Sequence, residues 1–257
     1  MTADIWDERT AAGYDEASAA MYAPEVLTPA VDFLAGLAPG GRALEFAIGT
    51  GRVAIPLAGR GLTVAGIESS EPMARVLRAK PAAAAIEVTL GDMATAGAVT
   101  TGAAPSGFDL VYVVYNSISN LLTQAGQVAC FRNAARHLRP GGHFVVELWI
   151  PDLRRLPPGA LAQPFHLSEH RAGLDTYDLL NQRVVSHHYS AAEDRPGVFR
   201  SQHRYIWPSE LDLMGELAGL RPAGRWADWS RAALTGDSGS HVSVWVKPAQ
   251  AAAASAL

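Results

Sequence analysis

Residues 43–52, which read A-L-E-F-A-I-G-T-G-R, restrict the fold of this chain more than any other stretch. An apolar run ending at Glu45 leads into a Gly49-Thr50-Gly51 turn, and V-A-I-P-L-A follows with helical spacing. This order predicts a buried strand, a tight turn and a helix. Glycine reaches positive φ and lets a ligand approach the backbone, while the free N–H groups of a helix N-terminus face that ligand. The stretch therefore predicts a loop that binds a nucleotide-type cofactor.

The glycine pattern separates several cofactor classes. A dinucleotide fingerprint, G-x-G-x-x-G, would need glycine at all three of the positions occupied here by Ala47, Gly49 and Arg52. A phosphate-binding P-loop needs a Gly-Lys pair, and none follows the turn. The turn is better suited to a ligand with a ribose and an amino-acid end. Glu68 ends a second predicted strand 68 − 45 = 23 residues after Glu45, a spacing at which an acid reaches ribose hydroxyls.

Alternating strands and helices continue to about residue 150. Nearly continuous apolar strands indicate a mostly parallel, Rossmann-like α/β sheet with helices on both faces. Ligands of such sheets bind beyond the carboxyl ends of the strands. Five residues are expected along that edge of the sheet: Glu45, Glu68, Asp92, Asn116 and Trp149.

Several motifs occur in a characteristic order over residues 40–150. They are E-x-A-x-G-T-G-R, the second acid, G-D-M at 91–93, F-D-L-V at 108–111 and L-R-P-G-G-x-F at 138–144. This ordered set resembles the class I S-adenosylmethionine-dependent methyltransferases, although Ala47 stands at the first glycine position of their motif. The resemblance implies S-adenosyl-L-methionine as cofactor and methyl transfer to an oxygen or nitrogen of a small molecule. It also implies that Asp92 accepts a hydrogen bond from the adenine amino group.

The residues expected to contact the cofactor lie at the carboxyl edge of the sheet or in the N-terminal segment that folds over it. They are Tyr14, Glu45, Ala47, Gly49, Gly51, Arg52, Glu68, Ser69, Met73, Gly91, Asp92, Met93, Tyr115 and Asn116. Alternatives stay open for three of them. Glu45 either contacts the methionine ammonium, directly or through water, or satisfies helix N-terminal donors. Arg52 either binds a carboxylate or lies on the helix surface, and Tyr14 either touches the methionine end or is a half-buried aromatic.

The pattern of segments predicts four regions. Residues 1–38 form an N-terminal helical cap, and residues 39–150 the cofactor-binding core. Residues 151–207 form an antiparallel β insertion after the fifth strand, which shapes the substrate pocket or a dimer contact. Residues 208–248 supply a helix and the last strands of the core sheet, the final one antiparallel in the resembling fold.

Three residues of the second half are candidates for the catalytic base. His241 is the first candidate, since an antiparallel last strand begins at the carboxyl ends of the parallel ones. His203 and Tyr205 share a face of their strand and come next. A neutral imidazole can accept a proton near pH 7. For each histidine a structural or surface role is the alternative, and no metal site is predicted.

The composition argues against some classes of binding partner. The net charge is −4 and no Lys/Arg run occurs, which argues against a nucleic acid or an anionic membrane as partner. A single cysteine, Cys130, and an acidic start without an apolar leader predict a cytoplasmic protein, with a homodimer possible. Two rival functions remain. One is a protein of the same fold that holds the cofactor without methylating, and the other is a nicotinamide-dependent oxidoreductase.

Overall fold

The computed structural model describes residues 6–98, 107–191 and 197–249. Its α-helices are α1 (Glu8–Ala17), α2 (Pro24–Leu37), α3 (Ala54–Ala58), α4 (Glu71–Arg78), α5 (Gln124–His137) and α6 (Pro208–Leu217). Its strands are β1 (Arg42–Phe46), β2 (Thr63–Glu68), β3 (Glu87–Leu90), β4 (Phe108–Val113), β5 (Leu138–Trp149), β6 (Ala162–Leu167), β7 (Arg171–Asp178), β8 (Arg183–Ser190), β9 (Gly197–Arg204), β10 (Arg221–Trp226) and β11 (Ser240–Val246).

Seven of these strands form one mostly parallel sheet in the order β10-β11-β5-β4-β1-β2-β3. β1 lies inside the sheet, with β2 and β4 pairing to it in parallel. β11 runs antiparallel to both β5 and β10. The predicted Rossmann-like α/β class and the antiparallel last strand are confirmed. The glycine turn after β1 is thereby placed at the carboxyl edge, between the ends of β2 and β4.

Helices cover both faces of this sheet because apolar side chains alternate along each strand. On β4, Val111 and Val113 face the layer that contains Phe131 of α5. Leu110 faces the opposite layer, which contains Leu34 of α2. Both layers are buried apolar clusters, so the sheet is covered on both faces.

The second sheet is an antiparallel meander, β6-β7-β8-β9. Alternating or β-branched sequence around Phe165–His170, Leu174–Leu180, Gln182–Tyr189 and Val198–Trp207 predicts four strands here. The first of them begins three residues earlier than this pattern predicts, at Ala162. The turn predicted at 194–197 (D-R-P-G) lies outside the described residues except for Gly197. The meander enters from the carboxyl end of β5 and returns through β9 into α6, which places it over the edge that carries the glycine turn.

One predicted boundary is wrong. The sequence suggested that the fifth strand starts at His143, after R-P-G-G, whereas β5 starts at Leu138 immediately after α5. Leu138 pairs with Phe108, and the register is irregular between Phe108 and Leu110. A Cβ on Gly142 would lie 2.9 Å from the Phe108 carbonyl oxygen, so the glycine lets the irregular strand remain paired. The turn-like motif is therefore an irregular part of the strand.

In the described part of the chain, no helix combines the length and the apolar character that a bilayer span requires.

Gly66, in the middle of β2, tests how tightly the loop packs on the sheet. A Cβ there would lie 2.7 Å from Cβ and 2.8 Å from Cγ2 of Ile48, which precedes the glycine turn. Gly66→Ala should lower the free energy of unfolding by about 1–3 kcal/mol in urea denaturation, because overpacking forces the neighbour to move. Gly36→Ala in α2 is the matched control, with nothing within 4 Å of its new Cβ. It should be neutral or stabilising by up to about 1 kcal/mol, and equal destabilisation of both variants would contradict the packing argument.

Candidate functional site

A cavity of about 740 Å³ lies at the carboxyl edge of the seven-stranded sheet. It has three walls. The sheet edge contributes residues that include Ala47, Gly49, Ile67, Glu68, Ser69, Met73, Gly91, Met93, Tyr115, Asn116 and Trp149. The N-terminal segment contributes Trp6, Thr10, Tyr14, Ala17 and Ser18. The antiparallel sheet contributes Asp175, Val184, Ser186, His188, Phe199, Ser201 and His203.

The structure brings most of the predicted cofactor residues together around this cavity. Ten of them line it: Tyr14, Ala47, Gly49, Glu68, Ser69, Met73, Gly91, Met93, Tyr115 and Asn116. Four do not: Glu45, Gly51, Arg52 and Asp92. Position along the chain therefore placed these residues at one edge of the sheet, but it did not separate residues at the surface of the cavity from those behind it.

Glu68 connects the glycine turn to the end of β2. Its Oε2 accepts a hydrogen bond of 2.8 Å from the Gly49 N–H, and its Oε1 accepts one of 2.8 Å from the Ser70 N–H. Burial raises the pKa of this carboxyl, and the N–H groups of Ser70 and Gly49 oppose that effect. A carboxylate has about four lone-pair sites, so these two bonds leave capacity to accept from ribose hydroxyls. The residues present fit a ribose-bearing ligand.

Backbone conformation explains the small residues of the loop. Ala47 has φ = 54° and Gly49 has φ = 57°, both in the left-handed region. An alanine there is strained, whereas glycine is not. Gly51, with φ = 85°, has a different reason to be small, since a Cβ there would collide with the side chains of Leu77 and Ile55. Gly51 therefore packs α3 against α4 and does not contact the cavity.

Glu45 faces away from the cavity, into the apolar layer beneath α2. It is 3% exposed and accepts a 2.9 Å hydrogen bond from the Tyr112 hydroxyl. Burial raises the pKa of Glu45 to about 8. The geometry contradicts direct contact with a methionine ammonium, because the carboxyl lies behind the loop. Arg52 reaches the N-terminal segment, with Nη1 at 3.5 Å from the Met21 carbonyl oxygen, and its guanidinium lies 5.3 Å from the Tyr115 ring centroid.

The N-terminal segment is held on the glycine turn by polar contacts that the sequence did not reveal. Asp15 accepts hydrogen bonds of 2.6 Å from both the Tyr22 hydroxyl and the Thr50 hydroxyl. Lys80 lies 2.5 Å from Asp15 and donates to the Thr50 carbonyl oxygen at 2.7 Å. We call these four residues the Asp15 cluster. It holds α1 against the loop, so that Tyr14 faces the cavity.

Two consecutive residues after β4 adopt left-handed conformations. Tyr115 has φ = 52° and Asn116 has φ = 63°, an unfavourable pair for residues other than glycine. Glu147 on β5 stabilises the pair, since it accepts 2.8 Å hydrogen bonds from the Tyr115 N–H and from the Trp229 indole N–H. Asn116 accepts a 2.7 Å hydrogen bond from the Trp149 N–H. These bonds fix the Tyr115 side chain, 43% exposed, at the cavity.

Asp92 begins a turn. Its Oδ1 accepts a 2.8 Å hydrogen bond from the Ala94 N–H, and its neighbours Gly91 and Met93 line the cavity while Asp92 itself does not. The contact with adenine stays a prediction. In residues 6–98, 107–191 and 197–249, no three His, Cys, Asp or Glu side chains are grouped as metal ligands would be.

The structure contradicts the assignment of His241 as the base. β11 does begin at the carboxyl end of β5, where Ser240 pairs with Trp149. However, His241 is fully buried on the face shared with Trp245, beneath α6, and does not line the cavity. Its Nδ1 lies 2.8 Å from the Ser243 hydroxyl, and burial lowers its pKa to about 4. His241 is therefore a neutral core imidazole.

Tyr205 also does not line the cavity. It is 2% exposed, and its ring packs 6.5 Å from that of Trp149 and 6.2 Å from that of Trp207. The structure contradicts a catalytic contact for Tyr205. His203, two residues earlier on β9, does line the cavity. Burial lowers the pKa of His203, so its imidazole is neutral at pH 7.

Side chains from β7, β8 and β9 form a polar wall opposite the glycine turn, and register explains which ones. Val184 pairs with His203, Ser186 with Ser201, and His188 with Phe199. Asp175 pairs with Ser186 on the other side of β8. Residues paired across an antiparallel sheet share a face. We call Asp175, Ser186, His188, Ser201 and His203 the polar wall.

Four residues of the polar wall, Asp175, Ser186, His188 and Ser201, were not among the candidates from the sequence. His187, the neighbour of His188, has its Nε2 3.1 Å from the Thr176 hydroxyl and is not among the cavity residues. Because successive side chains of a strand point to opposite faces, the sequence predicts that Val184, Ser186 and His188 share one face. Which of the two faces meets the cavity is decided only by the docking of the sheet.

Comparison with known proteins agrees with this geometry. A family model described as a methyltransferase domain matches residues 43–142. The solved structure of the CcbJ methyltransferase from Streptomyces caelestis is 37% identical, with a TM-score of 0.74, and the match covers 86% of this chain and 89% of that one. The chain belongs to the class I S-adenosylmethionine-dependent methyltransferases, and S-adenosylmethionine is its cofactor.

Two further relatives are informative. The cypemycin N-terminal methyltransferase of a Streptomyces species is 25% identical over 228 residues, which cover 86% of this chain and 88% of that protein. The S-adenosylmethionine-bound structure of CalS10, an amino pentose methyltransferase from Micromonospora echinaspora, shares the fold with a TM-score of 0.64 at 20% identity, covering 87% of this chain and 90% of that one.

The contacts of Glu68 generate a prediction. Glu68→Gln replaces one acceptor oxygen by an NH₂ group, so either the Gly49 or the Ser70 N–H loses its partner. The affinity for S-adenosylhomocysteine, measured by calorimetry, should fall by about ten- to a hundredfold. Glu25→Gln, on the exposed first turn of α2, is the control and should bind like the wild type. An unchanged affinity of the Glu68 variant would refute the role of this carboxylate.

The raised pKa of Glu45 makes the free energy of unfolding depend on pH. Its pKa is about 8 in the folded protein against 4.5 for an ordinary glutamate, so the folded state retains a proton that the unfolded chain has released. The resulting stabilisation is complete below pH 4.5 and is lost as the pH rises towards about 8. In urea denaturation at several pH values, wild-type stability should fall across this window relative to Glu45→Gln, which retains an acceptor for Tyr112. Parallel curves for the two proteins would contradict the raised pKa.

Proposed function

We propose that this protein transfers the methyl group of S-adenosylmethionine to a nitrogen or an oxygen of a small molecule that binds against the polar wall. The observation that supports this proposal is the composition of the cavity. One side carries the glycine turn and Glu68, and the facing side carries neutral imidazole, hydroxyl and carboxylate groups. A volume of about 740 Å³ is in the range of small-molecule sites.

The half of the cavity next to the sheet edge, which we call the donor half, binds S-adenosylmethionine in this proposal. In this proposal Glu68 accepts from the ribose hydroxyls, and the thioethers of Met73 and Met93 pack on the adenine. Asp92 accepts from the adenine amino group, as the resemblance to the family implies. Tyr14 on the cap and Arg52, which follows the glycine turn and reaches towards the cap, bind the methionine end.

The chain's own groups contribute positioning and proton transfer. When bound, S-adenosylmethionine supplies an electrophilic methyl carbon, which bonds to the acceptor atom as its bond to sulfur breaks and the electron pair goes to sulfur. The walls hold the acceptor in line with that bond. His203 accepts the proton that the acceptor releases, since it lines the cavity and its imidazole is neutral.

Nitrogen is the favoured acceptor atom. The cypemycin relative is named for the methylation of an N-terminus, and CalS10 is named for an amino pentose. The polar wall supports nitrogen independently, because it offers a carboxylate and two imidazoles to an amine. In this proposal residues 1–38 cap the donor and residues 151–207 shape the acceptor site. A homodimer through the insertion stays a prediction that light scattering in solution can test.

Binding and turnover can be tested separately. Calorimetric titration with S-adenosylhomocysteine and with NADH should show binding of the first and none of the second. The protein is then incubated with S-adenosylmethionine and a library of amines and alcohols, and mass spectrometry should detect products heavier by one methyl in place of a hydrogen. Tight cofactor binding without any methylated product would instead favour the non-methylating rival.

His203 and His187 form a matched pair for mutagenesis. His203→Ala should lower kcat at least about tenfold while the affinity for S-adenosylhomocysteine stays the same, because the proton acceptor is lost and the donor half is untouched. His187→Ala, on the same sheet but outside the cavity lining, should retain wild-type kcat. Equal rates for all three proteins would remove His203 from the mechanism.

A further inference from the structure

The polar wall carries one charged group, Asp175. Its carboxylate accepts a 2.6 Å hydrogen bond from the Ser186 hydroxyl at Oδ1 and a 3.4 Å hydrogen bond from the Tyr177 hydroxyl at Oδ2. Both donors are neutral, and no Lys or Arg of the described residues forms an ion pair with Asp175. Within the described residues, the hydrogen bonds to the Asp175 carboxylate therefore come from neutral hydroxyl groups.

Two arginines of β9, the strand that carries Ser201 and His203, pair with residues outside the polar wall. Arg200, beside Ser201 on β9, donates from Nε to His187 on the other side of the sheet. Arg204 is buried and pairs with Glu210 at 2.7 Å. Within the described ranges, the cavity lining contains two carboxylates, Glu68 and Asp175, and neither lysine nor arginine. A half-closed cavity with this lining attracts a positively charged ligand.

From this charge pattern we infer that the acceptor is a primary or secondary amine that enters as an ammonium ion, with Asp175 as the residue that recognises it. The inference rests on the proposed function and names the substrate class of the same site. Asp175 lies in the middle row of the wall, between the rows of His188 and His203. An ammonium on Asp175 therefore has an imidazole on either side.

The proton balance of the reaction follows from this arrangement. The ammonium gives one N–H proton to the imidazole of His203, which becomes imidazolium, and the nitrogen regains its lone pair. That nitrogen then forms the new bond to the methyl carbon, and the carbon–sulfur bond breaks with its electron pair on sulfur. The product is a methylated ammonium ion, which Asp175 also stabilises, and the imidazolium releases its proton to solvent.

Binding of two matched probes tests the role of Asp175. Phenethylamine and 2-phenylethanol have the same skeleton, and at pH 7 only the amine is charged. Each is titrated calorimetrically into the wild type saturated with S-adenosylhomocysteine. The wild type should bind the amine at least about tenfold more tightly than the alcohol, because a hydrogen-bonded charge pair is formed. Equal affinity for the two probes overturns the inference without any variant.

Variants then assign the preference to one side chain. Asp175→Asn, which keeps an acceptor for Ser186, should abolish the preference for the amine and leave the affinity for the alcohol unchanged. Glu169→Gln removes a charge from the exposed β6–β7 connection, with its side chain 88% exposed, and should behave like the wild type. A preference that persists in Asp175→Asn overturns the inference.

Failure of this inference is distinguishable from failure of the proposed function. Absent binding of S-adenosylhomocysteine to the wild type contradicts the proposed function, and the two probes can then be titrated into the unloaded protein to test Asp175 alone. Binding of S-adenosylhomocysteine to Asp175→Asn with wild-type affinity shows that this variant is folded. If it does not bind, the comparison of the two probes on the wild type still decides the inference.

Discussion

The carboxylate of Glu68 is the group on which the site depends. It accepts from the Gly49 N–H in the glycine turn and from the Ser70 N–H at the start of the next helix, so it joins two segments whose bonded residues are 70 − 49 = 21 positions apart. Without an acceptor, both N–H groups would be left unpaired beside a buried cavity, at a cost of about 1–3 kcal/mol each. The same carboxylate holds the shape of the loop, lines the cavity and, in the proposed function, accepts from the ribose. Structure and recognition therefore share one side chain.

The remaining walls are organised around this edge. α1 is attached through the Asp15 cluster, and the Tyr115–Asn116 turn is stabilised from β5 by Glu147. The meander between β5 and α6 closes the third side. The sheet edge and the polar wall thereby come from separate parts of the chain. In the proposed function this division lets the insertion determine the acceptor while the sheet edge keeps the donor contacts.

Much of the fold was predictable because its signals are local. The bounds of α2, Pro24–Leu37, follow from a proline at the first turn and the P-G-G that ends the helix, and Ser70 caps α4 as expected. The order of the motifs predicted the parallel sheet and its antiparallel last strand. The start of the fifth strand was predicted wrongly because a contact between distant residues decides it. Pairing of Leu138 with Phe108 overrides the R-P-G-G motif, which locally indicates a turn.

The site was predicted less completely because contacts between distant segments decide it. His241 was placed at the correct edge, but its strand turns that side chain towards α6, and edge position alone does not determine the face. Glu45 was found at the end of its strand and yet points behind the loop for the same reason. Asp15 and Thr50 are 35 residues apart, and no local pattern links them. Asp175 became visible only when the register of β7 with β8 was known.

The Asp15 cluster couples the N-terminal cap to the part of the cavity that contains the glycine turn. Its hydrogen bonds hold the N-terminal segment against the glycine turn, and Tyr14 of that segment lines the same cavity. Thermodynamic linkage makes this coupling reciprocal. If docking of the cap on the loop raises the affinity for the donor by some factor, a bound donor favours docking of the cap by the same factor. Any contact that the cap makes with a bound donor would therefore also stabilise the contacts of the Asp15 cluster.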